Sequence, residues 1–197
     1  MRTNDMEIEK TVLSIKENIA KSFSSIGRPS SYRRINPYPC CPDHDSMTEW
    51  YASHTWQEFE DILKEGTLDS EFMPREPDGY VYFLPAVLRY TLEAYEEKRE
   101  QIWNLAYIEK DDVHKVTCAP ISDWIRVLIP LYDQLDYRVK FNDVIARLEN
   151  EQTKIIVEYL SFFLTVCPYR EERFRNDIKR ALDEVWLPLN LERYERE

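Results

Sequence analysis

The sequence predicts an all-α fold, a single domain built as an irregular bundle around one proline-kinked central helix. Three observations predict it. Apolar residues recur at steps of three and four along most of the chain, and convincing alternation at period two is absent. At 197 residues, with 43% hydrophobic and 13% aromatic content, there is material for one sizeable core and one domain. The stretch Pro77–Tyr95 carries a wide apolar stripe, with Val81, Leu84, Val87, Leu88, Thr91, Leu92 and Tyr95 at helical spacing. Pro85 stands inside that stripe. It has no N–H for the Val81 carbonyl and its ring crowds the preceding turn, so it must kink the helix or divide it in two.

Residues 5–26 read as an amphipathic helix on the stripe Ile8, Val12, Ile15, Ile19, Phe23 and Ile26. Asn4 or Asp5 caps it, and Gly27 followed by Pro29 stops it. Packing within its own domain accounts for the stripe; a seam for a partner helix is the rival reading. Residues 28–55 form a long proline-bearing connector with one short helix over Asp45–Ser53. Arg28, Arg33 and Arg34 pair with the acidic stretch that follows, phosphate contact being the alternative. Thr55-Trp56-Gln57-Glu58 fits a capping box, in which hydroxyl and carboxylate each satisfy a backbone donor. The helix it opens buries Trp56, Phe59, Ile62 and Leu63, ends at Gly66, and leaves Glu58, Asp61 and Glu65 on its outer face.

Leu68–Glu76 is a loop, and the central helix then runs to about Ile108 with Glu93, Glu96, Glu97 and Glu100 on its exposed side. Ile121, Trp124, Ile125, Leu128 and Ile129 make a further helical face between Pro120 and Pro130, and Asp143–Leu148 is a helical fragment. Asn150 caps a strong helix through Val166 that turns Ile155, Ile156, Tyr159, Leu160, Phe163 and Val166 inward. A last stripe, Phe174, Ile178, Ala181, Leu182 and Val185, ends before Pro188, and the charged tail 188–197 frays.

The net charge of −11 is concentrated: residues 41–100 hold fifteen acids against five bases. A nucleic-acid binder needs basic groups to displace counterions from phosphates, so this surface is unsuited to nucleic acid. It is equally unsuited to an anionic membrane, and it favours a basic protein partner. No apolar run approaches the ~18 residues of a membrane span. The N-terminus carries acids where a signal peptide has basic and apolar regions. Cys40 and Cys41 are adjacent, and Cys118 and Cys167 are isolated, so no disulfide framework is indicated. These features predict a cytoplasmic protein with reduced thiols.

Three glycines, none neighbouring another, exclude a dinucleotide fingerprint and a phosphate-cradling loop. Cys40, Cys41 and His44, with His54 further on, are the one metal-ligand candidate, since thiolate and imidazole suit zinc. Reduced thiols beneath the connector, with His44 exposed, are the plainer account of the same residues. His114 and Cys118 are unrelated side chains unless the fold joins them. Glu60/Asp61, Glu96/Glu97 and Asp111/Asp112 read as solvated surface charge. No catalytic residue and no cofactor is assigned.

At Trp56 and again at Phe83-Leu84-Pro85-Ala86 the chain resembles a group of small bacterial proteins without an established reaction. In these an acidic, Trp-containing helix leads into an aromatic-F-L-P-A-x-L-x-Y segment. Their Leu-x-x-x-Gln helix start is similar to Leu148-Glu149-Asn150-Glu151-Gln152 here. The resemblance spans about Asp45–Tyr95 and, more loosely, Leu148–Leu160. It implies a mostly helical domain in a setting where acidic immunity-like proteins are common, and it carries over no catalytic residue.

The function that follows is a non-enzymatic acidic binding protein, an immunity or antitoxin-type neutraliser of a basic protein that targets nucleic acid. Glu58, Asp61, Glu65, Glu93, Glu97 and Glu100 are the expected partner-binding residues. One alternative is an enzyme or small-ligand binder with a pocket under the 28–55 connector, lined by Tyr32, Tyr38, Trp50 and Trp56. Another is an inhibitor that mimics nucleic acid through the same acidic surface.

Overall fold

The computed structural model describes residues 2–29, 49–65, 73–74, 76–104, 125–128, 141–166 and 172–194. Among them there is no strand, and the all-α class holds. The elements are α1 (Arg2–Ser22), α2 (Trp56–Lys64), α3 (Pro77–Asn104), a 3₁₀ turn at Arg126–Leu128 and α4 (Phe141–Ile145). Then come α5 (Asn150–Val166), α6 (Glu172–Ala181), a π turn at Leu182–Trp186 and α7 (Leu187–Tyr194). Residues 49–53 are also helical. Most of the connector, residues 105–124 and the flanks of the 3₁₀ turn lie outside the described residues.

α3 is the element the others pack on: α1, α2 and α4 all contact it, and α2 does so most extensively. Pro77 opens it at a position where a missing N–H costs nothing, and Asp78 places a charge in the electropositive first turn. Every residue from Tyr80 to Leu88 is buried, so this stretch of the helix is apolar on all sides. Pro85 does not divide it: α3 is one helix of 28 residues with the proline inside. An interior proline costs ~3 kcal/mol. Burying Phe83, Leu84, Val87 and Leu88 outweighs that cost, at about 1.5–3 kcal/mol for each side chain.

Two groups of rings flank α3. Phe59 of α2 meets Phe83 edge-on at 5.0 Å, with Tyr51 5.6 Å from Phe83 and Trp50 5.7 Å from Phe59. On the other side Tyr95 meets Phe162 of α5 at 5.4 Å, and Tyr159 meets Phe163 at 4.9 Å. Between them, the Tyr159 hydroxyl bonds the Thr91 hydroxyl at 2.5 Å in the core. Thr91 in turn reaches the Val87 and Leu88 carbonyls at 2.9 and 3.1 Å, so no polar atom of the pair is stranded. Burial pushes the Tyr159 phenol far above its ordinary value, against the opposing effect of the Thr91 bond.

Three local readings are corrected. α1 begins at Arg2 instead of Asp5 and gives way to a turn after Ser22, though Phe23 still enters the core. Asn150 is the first residue of α5 and the cap lies one residue earlier. The Glu149 carbonyl accepts from the Thr153 N–H at 3.0 Å, and Gln152 Oε1 accepts from the Glu149 N–H at 2.9 Å. Pro188 does not end the last helix, which continues to Tyr194. The π turn precedes it, with the Leu187 N–H donating to the Leu182 carbonyl five residues back. That change of register loosens the ladder just where Pro188 has no N–H to give.

The 3₁₀ turn is held from two sides. Tyr80 of α3 donates to the Val127 carbonyl at 2.6 Å, and Trp186 Nε1 of the π turn donates to the Leu128 carbonyl at 2.9 Å. Gln152 plays the same part between α1 and α5. It is buried, and its Nε2 donates to the Ser22 carbonyl at 3.2 Å, joining the end of α1 to the start of α5. Replacing Gln152 by Ala strands the Glu149 N–H and the Ser22 carbonyl together. A loss of about 1–3 kcal/mol in urea unfolding is expected; a change below a few tenths would show the bond to be idle.

Candidate functional site

The charged face is built by α2 and α3 with help from α1. The Thr55 hydroxyl accepts from the Glu58 N–H at 3.2 Å, and the Glu58 carboxylate accepts from the Thr55 N–H at 2.6 Å. The predicted capping box is therefore present. The Thr55 N–H first, and then the Thr55 hydroxyl, which also donates to Glu58 Oε2 at 2.9 Å, hold the Glu58 carboxyl below its ordinary value. Trp56, Phe59, Glu60 and Leu63 then form the buried side of α2.

Glu60 is the residue that a solvated-charge reading misplaces. It is only 5% exposed. Its Oε2 accepts from Arg89 Nε of α3 at 2.7 Å, and Arg89 Nη1 also donates to the Lys16 carbonyl of α1 at 3.2 Å. Its Oε1 is buried and has no hydrogen-bond partner, with Lys64 Nζ standing 3.4 Å away as a charge neighbour. Lys64 Nζ lies 3.1 Å from Glu93 Oε2 and 3.9 Å from Asp61. Lys16 Nζ reaches the same Glu93 oxygen at 3.5 Å and Glu96 at 3.9 Å. Three cations and four carboxylates thus knot three helices together. Burial raises the Glu93 carboxyl, but the Lys64 bond and the Lys16 and Lys64 charges outweigh it and hold it below its ordinary value. Burial likewise disfavours the Lys64 ammonium, yet the Glu93 bond and the Glu60 and Glu93 charges keep it above its ordinary value.

Among the expected partner-binding residues, Asp61, Glu65 and Glu97 are exposed, Asp61 at 79%. Glu58 is exposed but engaged in the cap, and Glu93 is half-buried within the ion pairs. The Glu100 side chain lies outside the described residues, as do Cys40, Cys41, His44, His114 and Cys118. His54 is described: its ring stacks on Trp50 at 4.3 Å, and its Nδ1 faces the Trp50 carbonyl at 2.7 Å and Ser53 Oγ at 3.0 Å. Arg28 donates to the Ala52 carbonyl at 3.3 Å. Of the aromatics expected to line a pocket under the connector, Trp56 is buried and Trp50 half-buried, while Tyr32 and Tyr38 lie outside the described residues. A groove of about 440 Å³ lies elsewhere, between the end of α1 and the start of α5, with Lys21, Lys154, Glu149 and Glu158 on its walls. No helix among the described residues is long and apolar enough to cross a membrane.

Sequence reasoning missed Glu60, Arg89, Lys16 and Lys64 as a unit. The signal was present: positions 56, 59, 60 and 63 share one helical face, so Glu60 belongs with Trp56 and Leu63. Arg89 directly follows the apolar run of α3, where a cation needs a carboxylate. No family model, curated protein or solved structure matches the chain.

The knot sets a pH dependence. Glu93 sits below its ordinary value of 4.5, so its contribution to stability is present above that value and disappears as pH falls through the lower folded one. Lys64 sits above 10.5, so its share is present below that pH and disappears as pH rises past the folded value. Thermal unfolding followed from neutral pH down to about pH 3 should show Glu93→Gln less stable than the parent at neutrality. The gap should narrow steadily below about pH 4.5 as the parent's carboxylate is protonated; a gap that stays constant would remove Glu93 from the account.

Proposed function

We propose that this chain is a non-enzymatic binding protein that takes a basic protein onto the acidic face of α2 and α3, in the manner of an immunity or antitoxin-type neutraliser. One observation supports the reading most. Lys64 of α2 lies 3.1 Å from Glu93 of α3, so the acidic rows of the two helices run side by side. Asp61 and Glu65 from one and Glu97 from the other stand exposed along that line. The stretch that supplies them, residues 41–100, has fifteen acids and five bases.

A surface of this kind steers a cationic protein toward itself and repels nucleic acid from the same place. A toxin that grips phosphates through a basic cleft would present the matching charge, and occupying the cleft would silence it. A cytoplasmic setting belongs to the same proposal.

The test uses the partner that co-purifies with the chain in its native host. The triple variant Asp61→Lys, Glu65→Lys, Glu97→Lys alters exposed positions that pack on nothing in the core. Binding should weaken at least about tenfold, mainly through a slower association, and its dependence on salt should flatten. A co-purifying partner without net positive charge, or one bound equally well by the triple variant, overturns the proposal.

A further inference from the structure

We infer that the outer face of α1 is a self-association surface, on which α1 of a second copy lies parallel, with Met6 against Met6 and Leu13 against Leu13. The inference is independent of the binding function proposed above.

The core uses one side of α1, where Val12, Ile15 and Ile19 are buried. Met6 and Leu13 lie off that side. They are 55% and 58% exposed, two of the four large apolar side chains left exposed among the described residues. Seven residues apart, they fall within ~20° of each other around the helix and form one line along its outside. Glu9 and Lys10 are also exposed, lie between them in height, and stand about 50° to either side of that line. An apolar line with an acid on one flank and a base on the other is what a helix-pairing seam requires, since the flanking charges choose the partner and its direction.

Here they choose a second copy. The chain carries a net charge of −11, yet α1 holds four acids and four bases and is neutral. Two copies therefore meet through α1 without the repulsion that an approach through residues 41–100 would bring. A two-fold axis parallel to the helices carries each flank across to the opposite flank of the second copy, so Glu9 of each meets Lys10 of the other. Seven residues on, Lys16 and Glu17 occupy the same flanks with the signs exchanged, so that level is complementary too. An antiparallel pair keeps each flank on its own side. The register that sets Met6 against Leu13 then places Glu9 on Glu9 and Lys10 on Lys10. A register centred on Leu13 avoids this, but it leaves Met6 against Ala20 and relies on Lys16, which Glu93 and Glu96 already hold at 3.5 and 3.9 Å. Parallel pairing alone matches apolar to apolar while both of the Glu9 and Lys10 levels stay complementary.

Two large apolar side chains from each copy make a small seam, so a weak dimer with a Kd on the order of 10–100 μM is expected. Sedimentation velocity over about 5–500 μM, a span chosen to bracket that Kd, should show the parent shifting from monomer to dimer. Leu13→Glu charges an exposed position, leaves the fold intact, and should remain monomeric throughout. Glu9→Lys and Lys10→Glu, each alone, should weaken the dimer at least about fivefold. The double variant Glu9→Lys, Lys10→Glu rebuilds both reciprocal pairs and should return to within about twofold of the parent. In the antiparallel register centred on Leu13 the same double variant faces Lys16 and Glu17 with like charges and binds more weakly than either single one. A parent that stays monomeric leaves the face to some other partner and overturns the inference. So does a dimer indifferent to Leu13→Glu, or a double variant no stronger than the single ones.

Discussion

The structure depends on burying α3 from Tyr80 to Leu88 on every side at once. A helix apolar all round cannot lie on a surface, so other helices must close over it. That requirement explains how Pro85 is tolerated in the third turn. The proline removes one backbone donor, a penalty of ~3 kcal/mol, but the surrounding side chains would lose several times as much if the helix came apart. The ring contacts of Phe83 with Phe59 and Tyr51 add about 0.5–1.5 kcal/mol each beyond their area. Packing, and not helix propensity, keeps this element whole.

The same burial decides where charge enters the bundle. The apolar run stops at Leu88 and Arg89 follows at once, half-buried between α1 and α2. A guanidinium there needs a carboxylate from a facing helix, and Glu60 is the α2 residue whose helical position supplies one. From that pair outward, Lys64, Glu93 and Lys16 follow by proximity. Farther along α3 the core resumes on one side only. Thr91 and Tyr95 face α5 and Leu92 is buried beside them, while Glu93, Glu96 and Glu97 face the other way.

Much of this could be read from the residues alone. The all-α class, the core positions of α3 and α5, and the capping box at Thr55 all follow from spacing and side-chain chemistry. What escaped was set by contacts between distant segments. Nothing local in the chain tells that Gln152 reaches Ser22, or that Trp186 reaches the Leu128 carbonyl through a π turn. Pro188 looked like a stop because local rules treat a proline after an apolar stripe as one. The register shift at Leu182–Trp186 that accommodates it depends on tertiary packing of Trp186. Glu60 escapes for a simpler reason: adjacent acids look like one solvated pair, although a step of one residue turns a helix by about 100° and puts neighbours on different faces.

That last distinction bears on how charge relates to function here. A count of acids treats every carboxylate in residues 41–100 alike, but folding sorts them into two populations. Glu58 is engaged with backbone and hydroxyl donors, and Glu60 and Glu93 face cations within the knot, so their fields are largely cancelled at a distance. Asp61, Glu65 and Glu97 look outward, where screening through solvent confines their field to about 8–10 Å. In the binding function proposed above steering falls to the outer set, while the inner one holds α1, α2 and α3 together, where low exposure makes each aligned hydrogen bond to a charged group stronger. The two sets meet at Asp61, whose side chain is 79% exposed yet lies 3.9 Å from Lys64 Nζ, so a change of charge at the rim is also felt by the ion pairs that join the helices.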